Sequence, residues 1–336
     1  MLVVNRAAGT WQESRVADLP QWVRPGDLLV ANDSRVFPAR LLGRRLPGGG
    51  HAECLLVELV ADLPQLGYEP NVSGVEHWQA LVRPGPKIQA GARLDFTDKA
   101  RAPGITLTAE VLGIDEAGQR RIRLTAGGAT VTEAIERLGH VPLPPYIRRA
   151  DSDEDRIRYQ TIFARQSGSI AAPTAGFHFD AGLLRSLETA GVEHATVTLH
   201  VGYGTFKPVT VEDTADHRVD AERWEVATAT AAAIARARAR GDRLFAIGTT
   251  TTRALESAAA ETGVVTPGTG RTELCITPGY QFRAVDALLT NFHLPRSSLL
   301  MLVAAFAGRD LLLAAYRDAV AREFAFYSYG DAMLVV

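Results

Sequence analysis

From Asp180 to Val336, helix patterns and strand patterns alternate, and this alternation restricts the fold more than any other feature. DAGLLRSLETAG has an acidic N-cap and a glycine stop, and HATVTLHVG is a β-branched strand. TATAAAIARARARG is an alanine-rich helix, DRLFAIG a strand and TTRALESAAA a helix. TELCIT, ALLTNFH, a helical region from about Ser297 to Arg322 and AMLVV continue the series. Each helix must hide one stripe and each strand at least one face, so the run predicts a sheet with helices on its faces.

Ala52 to Ala126 obey a different rule. AECLLVELV, HWQALV, ARLDFT, GITLTAEVLGI and RRIRLTA are short and alternating, divided by turns such as RPGP and DEAGQ, a spacing that suggests a small barrel or sandwich. Arg121 and Arg123 alternate with Ile122 and Leu124, which puts both arginines on one solvent face. VTEAIERLG then predicts a helix with Val131, Ile135 and Leu138 on one face, and the prolines of VPLPPYIRR force an extended path. The expected fold class is α/β, a mixed sheet with flanking helices plus an inserted small β-barrel domain. Its α/β catalytic domain spans 1–48 and 127–336 and its barrel 49–126, with the glycine-rich LPGGGHAE as the boundary.

No apolar run reaches the ~18 residues of a membrane span, and MLVVNRAAGTW lacks the features of a signal peptide, so no membrane association and a cytoplasmic location are expected. Cys54 and Cys275 stand far apart without His or Cys neighbours, which argues against a disulfide framework or a zinc site. With 36 basic and 38 acidic groups the net charge is −2, so no overall positive field announces a nucleic-acid binder. Lys87, Lys99 and Lys207 are the only lysines; the arginine excess suits bidentate contacts to phosphate or carboxylate, and equally fits compositional bias.

Familiar site motifs are absent: no GxxxxGK[ST], GxGxxG, GxSxG or HExxH occurs. What stands out is polar punctuation at strand ends. Gly248-Thr249-Thr250-Thr251-Thr252-Arg253 follows a strand and opens a helix, which reads either as an anion site closed by Arg253 or as a threonine-capped helix start. HVGYGTFKPV puts His200 at a strand end with Gly202 and Gly204 beyond it, where a ligand can approach the backbone. NFHLPRSS repeats the arrangement with His293, and SIAAPTAGFHFD sets His178 in a loop before the helix capped by Asp180. Each is a working group or a packed histidine beside a turn. YSYGDAM adds Tyr329 and Asp331, and Glu222 and Glu225 flank Trp224.

Eight stretches in order, RPGDLLVANDSRVFPARL, LGHVPLPPYI, DRIRYQTIFA, GSIAAPTAGFHF, VTLHVGYGTFKPV, GTTTTRALES, TNFHLPRSSLLMLVAAFAG and YSYGDAMLVV, resemble the S-adenosylmethionine:tRNA ribosyltransferase-isomerase family of queuosine biosynthesis. The likeness runs from about Leu2 to Val336. It implies an α/β domain carrying an inserted β-barrel. It also implies a reaction that moves the ribosyl part of S-adenosylmethionine, a co-substrate, onto the aminomethyl group of 7-aminomethyl-7-deazaguanine at the tRNA wobble position. Adenine and methionine leave, epoxyqueuosine-tRNA results, and no metal is required. The chain departs from the family pattern twice. Members begin further upstream of the position matching Leu2, and their HxMHxE motif is here His217-Arg-Val-Asp220-Ala-Glu222, with aspartate in place of the second histidine.

Under this resemblance, His178 and His200 are the acid/base candidates, with His293 and Asp331 as supports. Thr249, Thr250 and Arg253, with Gly202 and Gly204, would bind the co-substrate, and Thr249, Thr250 and Arg253 would hold its methionine carboxylate or, alternatively, a ribose phosphate. Arg35, Arg40, Arg148 and Arg149 would contact the tRNA backbone. Two alternatives stand beside this reading: a paralogue acting on another base or nucleoside, and a non-catalytic RNA-binding protein.

Overall fold

The computed structural model describes residues 1–60 and 70–336 and divides them into two compact units, Met1–Arg35 with Gln160–Val336, and Val36–Tyr159. In the first unit a nine-stranded mixed sheet is built around four parallel strands. Leu28–Asn32 lies between Glu193–Leu199 and Leu244–Ile247, and the latter pairs with Ala287–Asn291. Antiparallel strands Glu222–Val226 and Gly268–Thr272 extend one side. On the other, Ala332–Val335 runs antiparallel to Ala287–Asn291, followed by Leu2–Asn5 and Thr10–Glu13.

Leu28–Asn32, Leu244–Ile247 and Ala287–Asn291 are buried at every position because both their faces are covered, while Glu193–Leu199 is buried only in its second half. Leu28, Val30, Leu244, Ala246 and Leu288 pack with residues of helices Thr228–Arg240, Thr249–Ala258, Ser298–Ala307 and Arg309–Ala321. Leu29, Ala31, Phe245, Ile247 and Leu289 point the other way, toward Leu187 of helix Ala181–Thr189 and Leu19 of the 3-10 helix Val16–Gln21. The mixed sheet with flanking helices is as expected, with two local corrections. The helical region Ser297 to Arg322 is two helices, because Gly308 at φ 89° lets the chain turn by 113° between them. TELCIT follows a strand, Gly268–Thr272, and is not one itself, because its polar predecessors GTGRT make the ladder with Glu222–Val226. Among the described residues no single helix is long and apolar enough to cross a membrane.

The second unit contains a closed barrel of six antiparallel strands, in the order Arg120–Gly127, Val75–Arg83, His51–Leu59, Arg40–Leu46, Arg93–Asp95 and Thr106–Ile114. Leu41, Cys54, Leu56, Ala80, Leu94, Leu107, Ile122 and Leu124 fill its interior, each fully buried and each alternating with residues that face outward. Helix Val131–Leu138, started by a reciprocal Thr130–Glu133 capping box, packs Val131, Ala134, Ile135 and Leu138 against the barrel core.

The unit is wider than the 49–126 expected for the barrel, a span that includes residues 61–69 outside the described set. LPGGG is a hairpin turn inside the barrel and not a boundary. Arg45 donates to Gly50 O across it at 2.8 Å, and Arg40–Leu46 is the strand that closes the ring by pairing with both His51–Leu59 and Arg93–Asp95.

Candidate active site

Four parallel strands share a direction, so their carboxyl ends share an edge of the sheet, the place where ligands gather in open α/β folds. At this edge the chain runs from Leu199 into His200, from Ile247 into Gly248 and Thr249, and from Asn291 to His293, with Asn32 closing the fourth strand. Ala332–Val335 runs the opposite way and pairs its first residue with Asn291, which brings Asp331 to the same edge. The 3-10 turn Thr174–His178 packs against Ala287–Asn291 and brings Ala175 up to Gly248, so His178 joins the group. His178, His200, His293, Asp331 and Thr249 therefore meet at one edge of the first unit.

Asn32 and Asp33, which look in the sequence like an ordinary polar turn, are buried braces. Asn32 donates to Leu199 O at 2.9 Å and to Thr250 Oγ1 at 3.2 Å, and its own Oδ1 accepts the Ser34 and Leu199 N–H groups. One side chain thus ties two strand ends to the start of helix Thr249–Ala258. Asp33 accepts from Thr198 Oγ1 at 2.7 Å and from Arg165 at 3.2 Å. The available signal was a polar triplet straight after a wholly apolar strand.

The histidines differ. His178 Nε2 is buried and has no hydrogen-bond partner among the described residues. Burial pushes its pKa down to about 4, against the pull of the Asp331 carboxylate. His293 is engaged: its ring lies 2.9 Å from Thr290 Oγ1, its backbone N–H donates to Tyr316 Oη at 3.0 Å, and burial takes its pKa to about 4. The His200 ring lies against Gly168. At pH 7 His178 and His293 are neutral, which suits proton acceptance at His178 and a structural role at His293.

A pH effect follows from His293. In the unfolded chain its pKa is near 6.5, so acid protonates the unfolded state first, and stability falls as pH drops from about 6.5 to about 4. The expected loss from this one group is about 3 kcal/mol by pH 4. Thermal melts of the wild type and His293→Gln across that range check it, since the variant should lose markedly less; parallel curves would remove His293 as the cause.

Arg253 is committed to structure. Its guanidinium donates to Glu222 Oε2, to Leu274 O at 3.0 Å and to Thr272 O at 3.5 Å, and the ion pair is nearly covered, 11% and 5% exposed. Burial pushes the Glu222 carboxyl upward, while Arg253 and the Gly202 N–H, which donates to Glu222 Oε1 at 2.9 Å, hold it down. Asp220 takes both its oxygens to Lys207 Nζ, at 3.0 and 2.7 Å. A Cβ at Gly204 would sit 2.8 Å from the Asp220 carboxylate, so any larger residue there would push that side chain aside. Gly204, Asp220, Glu222 and Arg253 line a cleft of about 420 Å³, counting its open mouth, with Leu274, Ile276, Leu299 and Leu302 as an apolar wall. At the helix start, Thr251 and Thr252 hydroxyls donate back to Ile247 O and Gly248 O, while Thr250 receives Asn32. Thr249 is buried beside them.

Of the four arginines expected on tRNA, Arg35 belongs to the first unit and Arg40, Arg148 and Arg149 to the second. Arg40 forms a two-pronged pair with Glu53 at 2.9 and 3.2 Å, and Arg149 one with Asp155 at 2.6 and 2.7 Å. Arg35 and Arg148 are exposed.

Comparison with known proteins supplies what geometry alone does not. The family model described as "Queuosine biosynthesis protein" matches residues 1–335. The chain belongs to the queuosine biosynthesis protein family. A relative from Anaeromyxobacter dehalogenans (strain 2CP-C) is 50% identical over 337 residues, covering 100% of this chain and 92% of its own. One from Symbiobacterium thermophilum is 47% identical over 336 residues with the same coverage. Both are named S-adenosylmethionine:tRNA ribosyltransferase-isomerase. The crystal structure of an S-adenosylmethionine tRNA ribosyltransferase from Thermotoga maritima is 34% identical. It aligns with a TM-score of 0.52 over 100% of this chain and 91% of that one. The resemblance expected from the eight ordered motifs is borne out.

Proposed function

We propose that this chain transfers and isomerises the ribosyl moiety of S-adenosylmethionine onto the aminomethyl group of 7-aminomethyl-7-deazaguanine at the tRNA wobble position, releasing adenine and methionine. The observation that carries this reading is full-length likeness, at 47% and 50% identity, to relatives bearing that name. The gathering of three histidines and Asp331 at one sheet edge supports it. The reaction needs a base for the acidic proton beside the sulfonium, help for departing adenine, and a proton acceptor for the aminomethyl group. His178 is the proposed base: burial keeps it neutral at pH 7, and the Asp331 carboxylate favours the imidazolium it becomes. His200 is the second proton carrier. His293 holds the loop after its strand, and Arg253 keeps the cleft wall in place instead of closing on an anion. Gly202, Gly204, Thr249 and Thr250 offer backbone and hydroxyl contacts to the co-substrate.

Incubating the protein with S-adenosylmethionine and tRNA bearing the modified base is expected to release adenine. A second reading, a paralogue acting on another base, draws on Asp220, which stands where the family pattern has histidine and is paired with Lys207. Adenine released with a free base but not with tRNA would favour it, and tRNA binding without turnover would favour a non-catalytic protein. Arg35 and Arg148, exposed and basic, are the expected phosphate contacts. Arg35→Ala should lower the slope of log affinity against log salt by about one, measured by filter binding. An unchanged slope removes Arg35 from the interface.

A further inference from the structure

The turn from Ala325 to Asp331, which leads into the strand at the site edge, is a rigid mount. Asp331 accepts the Ala325 N–H at 2.8 Å and returns its own N–H to Ala325 O at 2.7 Å. Asn291, at the neighbouring strand end, donates to the carbonyls of Tyr327 and Ser328 at 3.1 and 3.3 Å. Tyr327 is held at φ 75°, a left-handed conformation that a bulky residue adopts only where its surroundings impose it. Gly330 has no room for a side chain, since a Cβ would lie 2.4 Å from the carbonyl oxygens of Ala325 and Phe326.

What the mount presents is Tyr329. The residue is 53% exposed, yet its ring is backed by Phe177 in a parallel stack, with centroids 5.2 Å apart and planes 9° from each other. Phe177 adjoins His178, whose Nε2 is the buried nitrogen left without a hydrogen bond, and Asp331 lies two residues beyond Tyr329. An exposed aromatic ring fixed from behind, beside a proton acceptor, is the surface on which a flat heteroaromatic base stacks. Little rotamer freedom remains to be lost when it does so.

We propose that Tyr329 is a stacking platform for a purine-shaped base, with Phe177 as its backing. The source of the base rests on the function proposed above, in which both substrates carry one: adenine in S-adenosylmethionine and 7-deazaguanine in the tRNA. Steady-state adenine release is measured with each substrate varied in turn. Tyr329→Ala is expected to raise one KM by about tenfold to a hundredfold, while Tyr329→Phe, which keeps the ring, stays near wild type. A rise for tRNA puts the deazaguanine on the ring, and a rise for S-adenosylmethionine puts adenine there. Both KM values unchanged, or a defect equally present in Tyr329→Phe, overturns the platform. If the wild type releases no adenine, the function fails but the platform is still tested. Tyr329→Trp in the whole protein should show fluorescence quenching by adenosine or guanosine monophosphate beyond that of the wild type, and no extra quenching overturns it.

Discussion

Glu222→Ala is expected to destabilise the α/β unit by ~3–5 kcal/mol, because it leaves the Arg253 guanidinium buried without its counter-charge. The pair is 5% and 11% exposed, so water cannot replace the lost carboxylate without opening the cleft wall. Gly202 loses its acceptor as well. Urea unfolding of the purified protein reads the loss directly. The double variant Glu222→Leu with Arg253→Met should recover much of it, since removing both charges also removes their desolvation cost. A Glu222→Ala loss below about 1 kcal/mol, the ordinary worth of an exposed pair, would show that Arg253 is free to turn toward a ligand and that its assignment as a brace is wrong.

His178→Ala should slow the single-turnover release of adenine by ~10²-fold or more if the imidazole carries a proton. The pH profile sharpens this. A base must be unprotonated to work, and with the His178 pKa near 4 the wild-type rate should hold level from pH 7 down to about pH 5 and fall only below that. An acid limb near 6.5 that disappears in His178→Ala would contradict the buried, neutral imidazole described here. Near-normal rates in both His178→Ala and His200→Ala would end the acid/base assignment altogether.

Strand ends were legible in the sequence, and partners were not. HVGYG, GTTTT and NFH each stand at the end of a strand, and parallel pairing puts all three at one edge without any knowledge of side-chain contacts. Asp331 joins them because AMLVV runs antiparallel, which no local pattern specifies. The arginines resisted reading for the same reason: Arg253, Arg40 and Arg149 are each claimed by an acid, and for Arg253 and Glu222 that acid lies 31 positions away. LPGGG looked like a domain boundary because glycines signal a break, but the same glycines serve a hairpin within a barrel. The Gly308 bend was hidden in a run whose apolar residues fit one long helix equally well.

The order of the sheet also bears on how the protein is made. Ala332–Val335 lies between Ala287–Asn291 and Leu2–Asn5, so the hairpin formed by Leu2–Asn5 and Thr10–Glu13 joins the rest of the sheet only through this late segment. During synthesis that hairpin keeps one open edge until the segment carrying Ala332–Val335 has been made. Asp331 and Tyr329 arrive with the same segment. A chain still lacking that segment carries His178, His200 and His293 but neither Asp331 nor Tyr329.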